Sequence, residues 1–277
     1  MAGTELTGVF RATRAEGRAA LIGYLPAGFP TVEASTRTLS AMVAGGCDLV
    51  EVGVPFSDPV LDGAVIQAAA ETARSNGFRL RDTFAIVERV TAAGGRAVVM
   101  TYYNPILAYG VDRFARDLAA AGGLGVITPD LIVDEAQPWL SATAAHGLDP
   151  IFLVAPSSSA ERISMTASKT SGFLYAASTM GVTGARDQVS SSAPALVARC
   201  RELTELPIGV GLGVRTGAQA AQIAAFADAV IVGSAFVSAA MTDPTAVANL
   251  AEELAAGVRA SNAGSPPAAT STVAGAR

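Results

Sequence analysis

Two carboxylates stand where the sequence indicates chemistry, in the stretch EVGVPFSDPVLDGAVIQ from Glu51 to Gln67. Glu51 lies inside an apolar run, where an ionised acid is costly unless it is paired or its pKa is raised. Asp62 follows behind a Pro-Phe-Ser turn. A carboxyl group with a raised pKa can give and take a proton near neutral pH. The stretch predicts an acid–base pair; an ion-paired Glu51 and an ordinary Asp-Gly turn at Asp62 are the structural alternatives.

Eight short apolar segments alternate with helix-like segments and must position these side chains. They begin at Ala20, Leu49, Ala97, Leu124, Asp149, Gly172, Pro207 and Ala229. Their continuous apolar character is typical of strands buried on both faces. The pattern predicts an α/β protein, a (βα)8 TIM barrel in one domain over residues 1–260, with an extra N-terminal helix within residues 4–17 at the barrel bottom. An open doubly wound sheet is the alternative, weakened because no GxGxxG motif follows the first strand.

Composition limits the remaining possibilities. Of the 277 residues, 51% are hydrophobic and 16% charged, and the net charge is -5, so a large core is expected and nucleic acid is not an expected partner. Cys47 and Cys200 have neither metal nor disulfide spacing, and no signal peptide is recognisable, which predicts a cytoplasmic protein. No apolar run reaches the roughly 20 residues of a membrane helix. Residues 261–277, rich in Ala, Ser, Pro and Gly, are predicted to be a disordered tail.

Glycines follow the last three predicted strands, at the end of a TIM barrel where active sites lie. Gly184 follows the sixth strand, Gly211 and Gly213 the seventh, and Gly233-Ser234 the eighth. Glycine at such positions lets backbone N–H groups approach a phosphate in front of a helix N-terminus. Close packing at strand ends is the alternative. Together the three strand ends predict a phosphate site.

Lysine and histidine are too scarce for two common aldolase mechanisms. Lys169 is the only lysine and lies just before the sixth predicted strand, at the wrong end for a Schiff base. His146 is the only histidine and also precedes a strand, so we predict no metal site and expect a histidine in a surface loop or at a helix end. A phosphate site facing two carboxylates suits acid–base cleavage or isomerisation of a phosphorylated small molecule.

Six motifs in order give the chain a family resemblance. They are EVGVPFSDPVLDG, MTYYNP, ITPDL, YAASTMGVTG, GVGLGV and IVGSA. From about residue 6 to residue 258 the chain resembles the α subunit of tryptophan synthase, in its actinobacterial form. The resemblance implies a lyase that cleaves indole-3-glycerol phosphate to indole and glyceraldehyde 3-phosphate. It also implies an α2β2 heterotetramer in which a β subunit takes up the indole. Pyridoxal phosphate is expected only on that β partner, and no cofactor on this chain.

The resemblance also assigns roles to residues. Glu51 corresponds to the general acid and base, and Asp62 to the carboxylate that accepts a hydrogen bond from the indole N–H. The implied substrate-binding residues are Tyr24, Met100, Tyr175, Thr183, Gly184, Gly211, Gly213, Gly233 and Ser234, and the implied partner contacts are Asp58, Asn104 and Pro105. A stand-alone lyase that releases indole and a non-catalytic barrel that activates a β subunit remain alternatives.

The loops after the second and sixth strands are predicted to form a coupled lid, with Thr183 meeting the Asp62 loop on closure. Residues 104–106 after the third strand are predicted to be an exposed apolar patch for the partner. Two departures from the family pattern lie near these features, Ala64 in place of the usual proline and Leu212 in place of the usual phenylalanine.

Overall fold

A nine-stranded parallel sheet forms the centre of the computed structural model, which describes residues 4–177, 192–211 and 213–260. The strands are β1 (Ala20–Pro26), β2 (Leu49–Gly53), β3 (Ala97–Met100), β4 (Gly125–Ile127), β5 (Asp149–Ile151), β6 (Leu153–Val154), β7 (Leu174–Ala177), β8 (Ile208–Gly211) and β9 (Ala229–Val232). All of them fall within the predicted apolar segments. Because both faces are covered, strands such as β1 and β2 are buried along their whole length.

The sheet closes into a barrel. Its order is β5-β4-β3-β2-β1-β9-β8-β7-β6, and Phe152 alone separates β5 at one end from β6 at the other. The two ends of the sheet therefore meet in one segment of chain, which acts as the fifth barrel strand. Strands β7, β8 and β9 are then the sixth, seventh and eighth. The predicted (βα)8 TIM barrel is confirmed.

Twelve helices surround the strands within the described ranges. They are α1 (Glu5–Ala15), α2 (Val32–Ala44), α3 (Ala64–Ser75), α4 (Leu80–Ala92), α5 (Tyr103–Tyr109), α6 (Val111–Ala120), α7 (Gln137–His146), α8 (Ala160–Lys169), α9 (Ser192–Arg201), α10 (Gly217–Ala224), α11 (Ser234–Thr242) and α12 (Pro244–Ala260). Hydroxyl side chains cap several of them. The Thr31 hydroxyl accepts from the Ala34 N–H, and the Ser159 hydroxyl from the Arg162 N–H. None of the helices found in the described ranges is long and apolar enough to cross a membrane.

Helix α1 closes the lower end of the barrel, where the strands begin, as predicted. Leu6 and Phe10 belong to the cluster of side chains that fills the barrel interior. The ring centroids of Phe10 and Phe173 lie 5.3 Å apart. The domain limit at residue 260 stays a prediction, because the proposed tail, 261–277, lies outside the described residues.

The upper end of the barrel carries the candidate chemistry. Interior-facing residues alternate along each strand, so Ile22 and Leu49 of the interior cluster are followed two positions later by Tyr24 and Glu51. Tyr24 and Glu51 are register partners on β1 and β2. Both side chains therefore belong to the layer just below the loops that follow the strands, where TIM barrels have their active sites.

Candidate active site

Glu51 is a buried acid that has no compensating charge in the part of the chain that the structure describes. Only 1% of its surface is exposed, and its Oε1 atom has no hydrogen-bond partner among the described residues. Burial raises the pKa of Glu51 from 4.5 to about 8. The arginine partner considered as an alternative is not found in the described part of the chain. A group with this pKa is mostly protonated at neutral pH and can donate a proton and then take one back.

Asp62 lies in the loop that joins β2 to α3. Burial raises the pKa of its carboxyl group to about 6, so the group is largely ionised at neutral pH. The Gln67 side chain donates to the Asp62 carbonyl oxygen at 2.7 Å. Helix α3 begins at Ala64, with Gly63 as its N-cap, so the departure from proline at this position leaves the helix start in place.

Two tyrosines, the buried Tyr24 and the partly buried Tyr175, lie near the two carboxyl groups. Burial raises the pKa of Tyr24 well above its usual value, and the charges of Asp62 and then Glu51 raise it further. Burial and the charge of Glu51 do the same for the pKa of Tyr175. These effects require the four side chains to be near one another. The structure thus brings together four of the predicted site residues.

Two glycines make room for these tyrosines. A Cβ atom at Gly53 would lie 2.4 Å from the Tyr24 hydroxyl oxygen, and one at Gly211 would lie 2.4 Å from the Tyr175 hydroxyl oxygen. No side chain fits at either distance. The tyrosine contact therefore explains Gly211 without a phosphate, and its predicted part in substrate binding stays a prediction.

A small cavity of about 10 Å³ lies at the upper end of the barrel. It is lined by Tyr24, Val54, Asp62, Met100, Thr101, Tyr102 and Pro129. The predicted residues Tyr24, Met100 and Asp62 therefore share one space, whereas Glu51 is not part of the lining. The volume suffices for about one water molecule and is far below that of an indole ring.

Sequence reasoning missed four of the lining residues: Val54, Thr101, Tyr102 and Pro129. Tyr102 belongs to the motif MTYYNP, which supported the family resemblance without giving this tyrosine a role. The available signal was its position two residues after the end of β3, where TIM barrels place functional side chains.

The predicted phosphate-binding residues follow two neighbouring strands, β8 and β9, at the same level along the barrel axis. Gly211 of β8 pairs in register with Ile231 of β9, so Gly213 and Gly233 each come two residues beyond this pair. Gly213 has φ of +63°, which favours glycine. Gly233 is the N-cap of α11, and the buried Ser234 is its first residue. Thr183, Gly184 and Leu212 lie outside the described residues.

The predicted partner contacts lie at the same end, Asp58 in the loop after β2 and Asn104 and Pro105 in the first turn of α5. Asp58 and Asn104 are exposed, and Pro105 is half-buried. The Ser57 hydroxyl donates to the Asp58 carboxylate at 2.5 Å.

The predicted exposure of the whole 104–106 segment is wrong, because Ile106 is buried in the core on the inner face of α5. Exposed apolar side chains are found instead at Val60, Leu107 and Ile132, which follow β2, β3 and β4.

No group of three or more His, Cys, Asp or Glu side chains could hold a metal ion within the residues that the structure describes. His146 is the last residue of α7, as predicted, and its Nε2 atom lies 2.9 Å from the Asp112 carboxylate. That the chain itself carries no cofactor stays a prediction.

A closed (βα)8 barrel with two carboxyl groups of raised pKa at its upper end defines a class of protein, a TIM-barrel enzyme that works by acid–base chemistry. The family model described as tryptophan synthase alpha chain matches residues 10–264. The chain is 63% identical to the tryptophan synthase alpha chain of Mycobacteroides abscessus over 254 residues, which is 92% of this chain and 97% of that one.

Other relatives agree. The identity to the alpha chain of Nocardia farcinica is 63% over 262 residues, 95% of this chain and 98% of that one. A solved structure of Mycobacterium tuberculosis tryptophan synthase superimposes with a TM-score of 0.90 at 60% identity, covering 93% of this chain and 99% of that chain. The chain belongs to the tryptophan synthase alpha chain family. It is a lyase that cleaves indole-3-glycerol phosphate.

Proposed function

We propose that Glu51 is the general acid and base of this cleavage and that Asp62 stabilises the charge that develops on the indole ring. The observation that carries the proposal is the buried Glu51 carboxyl group, whose Oε1 has no partner among the described residues and whose pKa is about 8. A paired or exposed carboxylate would have a pKa near or below its usual value and could not donate a proton at neutral pH.

The proposed chemistry needs one carboxyl group in two successive roles. Protonated Glu51 donates its proton to C3 of the indole ring. The resulting Glu51 carboxylate then takes the proton from the glycerol hydroxyl while the carbon–carbon bond breaks and its electrons return to the ring. Indole and glyceraldehyde 3-phosphate result, and Glu51 is protonated again. No metal or covalent intermediate is needed for this balance.

Asp62 acts in the same step as an ionised acceptor. Its carboxylate would accept a hydrogen bond from the ring N–H and stabilise the positive charge that protonation of C3 creates. The pKa of about 6 keeps it ionised at neutral pH while Glu51 stays protonated. Two carboxyl groups with separated pKa values are the general pattern for a divided acid–base task.

Substrate binding would require the Asp62 loop to move. The cavity beside Asp62 holds about 10 Å³, far less than an indole ring needs, which supports a loop that opens to admit the substrate. Tyr24 and Met100 would then flank the ring, with Tyr175 near Glu51. The phosphate would contact backbone N–H groups at Gly213, Gly233 and Ser234, where the N-terminus of α11 favours an anion. Thr183 and Gly184 belong to the proposal on the family pattern alone.

The upper end of the barrel is also the proposed contact with a β subunit in an α2β2 heterotetramer. Val60, Leu107 and Ile132 are exposed apolar residues in the segments that follow three adjacent strands, β2, β3 and β4, and Leu107 lies on α5. The predicted contacts Asp58, Asn104 and Pro105 lie in or beside the same segments. Apolar side chains ringed by polar ones are typical of protein interfaces. Pyridoxal phosphate would reside on the β partner.

The proposal is tested by single-turnover cleavage of indole-3-glycerol phosphate with the full chain. We expect Glu51→Gln to lower the rate by about 10²- to 10⁴-fold, the usual contribution of a general acid–base group, while indole-propanol phosphate still binds. Adding the β subunit should accelerate the unsubstituted chain. A rate within tenfold of the unsubstituted chain would remove Glu51 from the mechanism, and unchanged cleavage on adding β would favour the stand-alone lyase.

A further inference from the structure

Tyr102 holds the loop that carries Asp62. We propose that Tyr102 is a positioning residue whose hydroxyl group, through the backbone of Leu61, sets the place of the Asp62 carboxylate during cleavage. The inference rests on the proposed role of Asp62 and deepens it.

Tyr102 contacts the loop at two points. Its hydroxyl oxygen accepts a hydrogen bond from the Leu61 N–H at 3.0 Å. Its ring packs against the ring of Phe56, with centroids 5.2 Å apart. The hydrogen bond is on the residue directly before Asp62, so a change in its geometry acts on the Asp62 backbone within one peptide unit.

Tyr102 is itself fixed to the rigid barrel. It is buried, and it lies between β3 and the first turn of α5. The Thr101 hydroxyl donates to the Tyr102 carbonyl oxygen at 3.0 Å. The next N–H, of Tyr103, donates to the Asp130 carboxylate at 2.9 and 3.2 Å. The backbone around Tyr102 is therefore fixed to the barrel, and its phenol group can hold the Asp62 loop in place.

The Asp62 backbone is held on its other side by α3. The Gln67 side chain donates to the Asp62 carbonyl oxygen at 2.7 Å. Two hydrogen bonds from separate elements thus bracket one residue, Tyr102 from the β3 end and Gln67 from α3. Catalytic groups held by packing and secondary hydrogen bonds in this way keep a productive geometry.

Tyr102 and Asp62 also share the cavity at the upper end of the barrel. Burial raises the pKa of Tyr102, the Leu61 N–H opposes the rise, and the charge of Asp62 adds to it. The phenol is therefore neutral at physiological pH and can keep accepting from Leu61. An alternative for this residue is direct contact with the indole ring, and the experiment below separates the two.

The test is a double-mutant cycle on the full chain with Tyr102→Phe and Asp62→Asn. Tyr102→Phe keeps the ring and removes the acceptor of the Leu61 N–H. We expect kcat/KM for indole-3-glycerol phosphate to fall about tenfold, the size expected when a partly buried N–H loses its partner. In the Asp62→Asn background the same change should have no further effect, because Tyr102 acts through that carboxylate. The affinity for glycerol 3-phosphate should stay unchanged in every variant.

Tyr103→Phe is the matched control, since it removes a hydroxyl one residue away that makes no hydrogen bond to the described residues of the Asp62 loop. We expect wild-type kcat/KM. Phe56→Leu is a second variant, which removes the ring contact and leaves the hydroxyl; its smaller loss should also disappear in the Asp62→Asn background. Circular dichroism and urea unfolding verify the fold of each variant.

Three outcomes decide the inference. If Tyr102→Phe keeps wild-type kcat/KM while Asp62→Asn is impaired, the positioning role is wrong and the proposed role of Asp62 stands. If Tyr102→Phe lowers kcat/KM by the same factor with and without the Asp62 carboxylate, the tyrosine acts independently and the inference fails. If Asp62→Asn itself is fully active, the proposed function of Asp62 fails first, and the inference fails with it.

Discussion

Asp48 at the lower end of the barrel and Glu51 at the upper end are carboxyl groups in opposite environments. At the lower end, Asp48 accepts two hydrogen bonds from the Arg18 guanidinium, both at 2.8 Å, and one from the Leu21 N–H at 2.9 Å. At the upper end, Oε1 of Glu51 has no partner among the described residues, and the pKa of the group is about 8. The charge of Asp48 is therefore paired, whereas Glu51 is left with a pKa near neutral pH, which suits proton transfer.

Asp149 sharpens this comparison because it is as buried as Glu51. Each has 1% of its surface exposed, but Asp149 lies at the lower end, at the start of β5. Burial raises the pKa of Asp149, and the hydrogen bond from the Ser171 hydroxyl, at 2.5 Å, opposes the rise. Burial alone therefore does not make an acid–base group. Asp149 Oδ2, like Oε1 of Glu51, has no partner among the described residues, so position at the upper end is what distinguishes Glu51.

The largest expected effect on stability is at Glu51. Its folded-state pKa, about 8, is above its ordinary value of 4.5, so the folded state binds the proton more tightly. This contribution is complete below pH 4.5 and is lost as the pH rises through 8. The loss by pH 9 corresponds to roughly 3 to 5 kcal/mol. Glutamine does not titrate, so Glu51→Gln should become more stable than the unsubstituted chain with rising pH.

Urea unfolding at several pH values from 4.5 to 9 measures this difference. Glu71→Gln is the control, because Glu71 is exposed on α3, where it pairs with Arg74 and accepts a hydrogen bond from the Ser75 hydroxyl at the surface. A stability difference for Glu51→Gln that does not change with pH would mean that Glu51 has an ordinary pKa in the folded chain.

A smaller effect is expected from the lower end. Arg18→Ala removes the two-pronged pair with Asp48, whose side chains are only 10% and 16% exposed. We expect the free energy of unfolding to fall by about 2 kcal/mol, because a mostly buried carboxylate loses its partner. The cleavage rate below the unfolding transition should be unchanged.

Arg74→Ala is the matched control on the surface and should cost less than about 0.5 kcal/mol, as exposed pairs do. Urea unfolding and single-turnover cleavage are measured on both variants. A slower cleavage rate in folded Arg18→Ala would contradict the view that the lower end contributes only to stability and the upper end to cleavage.

The smallest expected effect is at the proposed phosphate site. A Cβ atom at Gly233 would lie 3.4 Å from Cδ1 of Tyr24, which the fold can tolerate. Gly233→Ala should weaken glycerol 3-phosphate binding by about 1 kcal/mol, since the methyl group hinders approach to the backbone N–H groups. Gly213 is less suitable, because its φ of +63° would add backbone strain to any substitution.

Calorimetry with glycerol 3-phosphate measures this effect. Gly8→Ala, on α1 at the lower end, is the control and should bind as the unsubstituted chain does. Unchanged affinity in folded Gly233→Ala would move the phosphate site away from α11.

Local patterns were enough to predict the barrel. Continuous apolar segments indicated the positions of all eight barrel strands, because burial on both faces is a property of neighbouring residues. Glu51 could be singled out as an acid within an apolar strand and Asp62 as an acid in the loop that follows it, and their catalytic roles stay predictions. Phe152 separates β5 from β6, so that one segment of chain pairs with both ends of the sheet. No local sequence pattern predicts this interruption.

Contacts between distant residues could not be predicted. Leu61 and Tyr102 are 41 positions apart, so nothing in either segment indicates that one holds the other. The burial of Ile106 was missed because the short helix α5 turns this residue inward while leaving Leu107 exposed. The two glycines that accommodate tyrosines gave a similar difficulty, since a glycine in sequence looks the same whether a phosphate or a side chain approaches it.

The pH dependence of single-turnover cleavage tests the central claim most directly, that two carboxyl groups with separated pKa values divide the work. The rate should be highest between limbs near pH 6 and pH 8. Below the first, protonated Asp62 no longer accepts from the indole N–H, and above the second, ionised Glu51 has no proton for C3. Asp62→Asn should remove the lower limb and keep the upper one. A rate that stays level from pH 5 to pH 9 would contradict this mechanism. So would a rate that does not fall as the pH rises through 8.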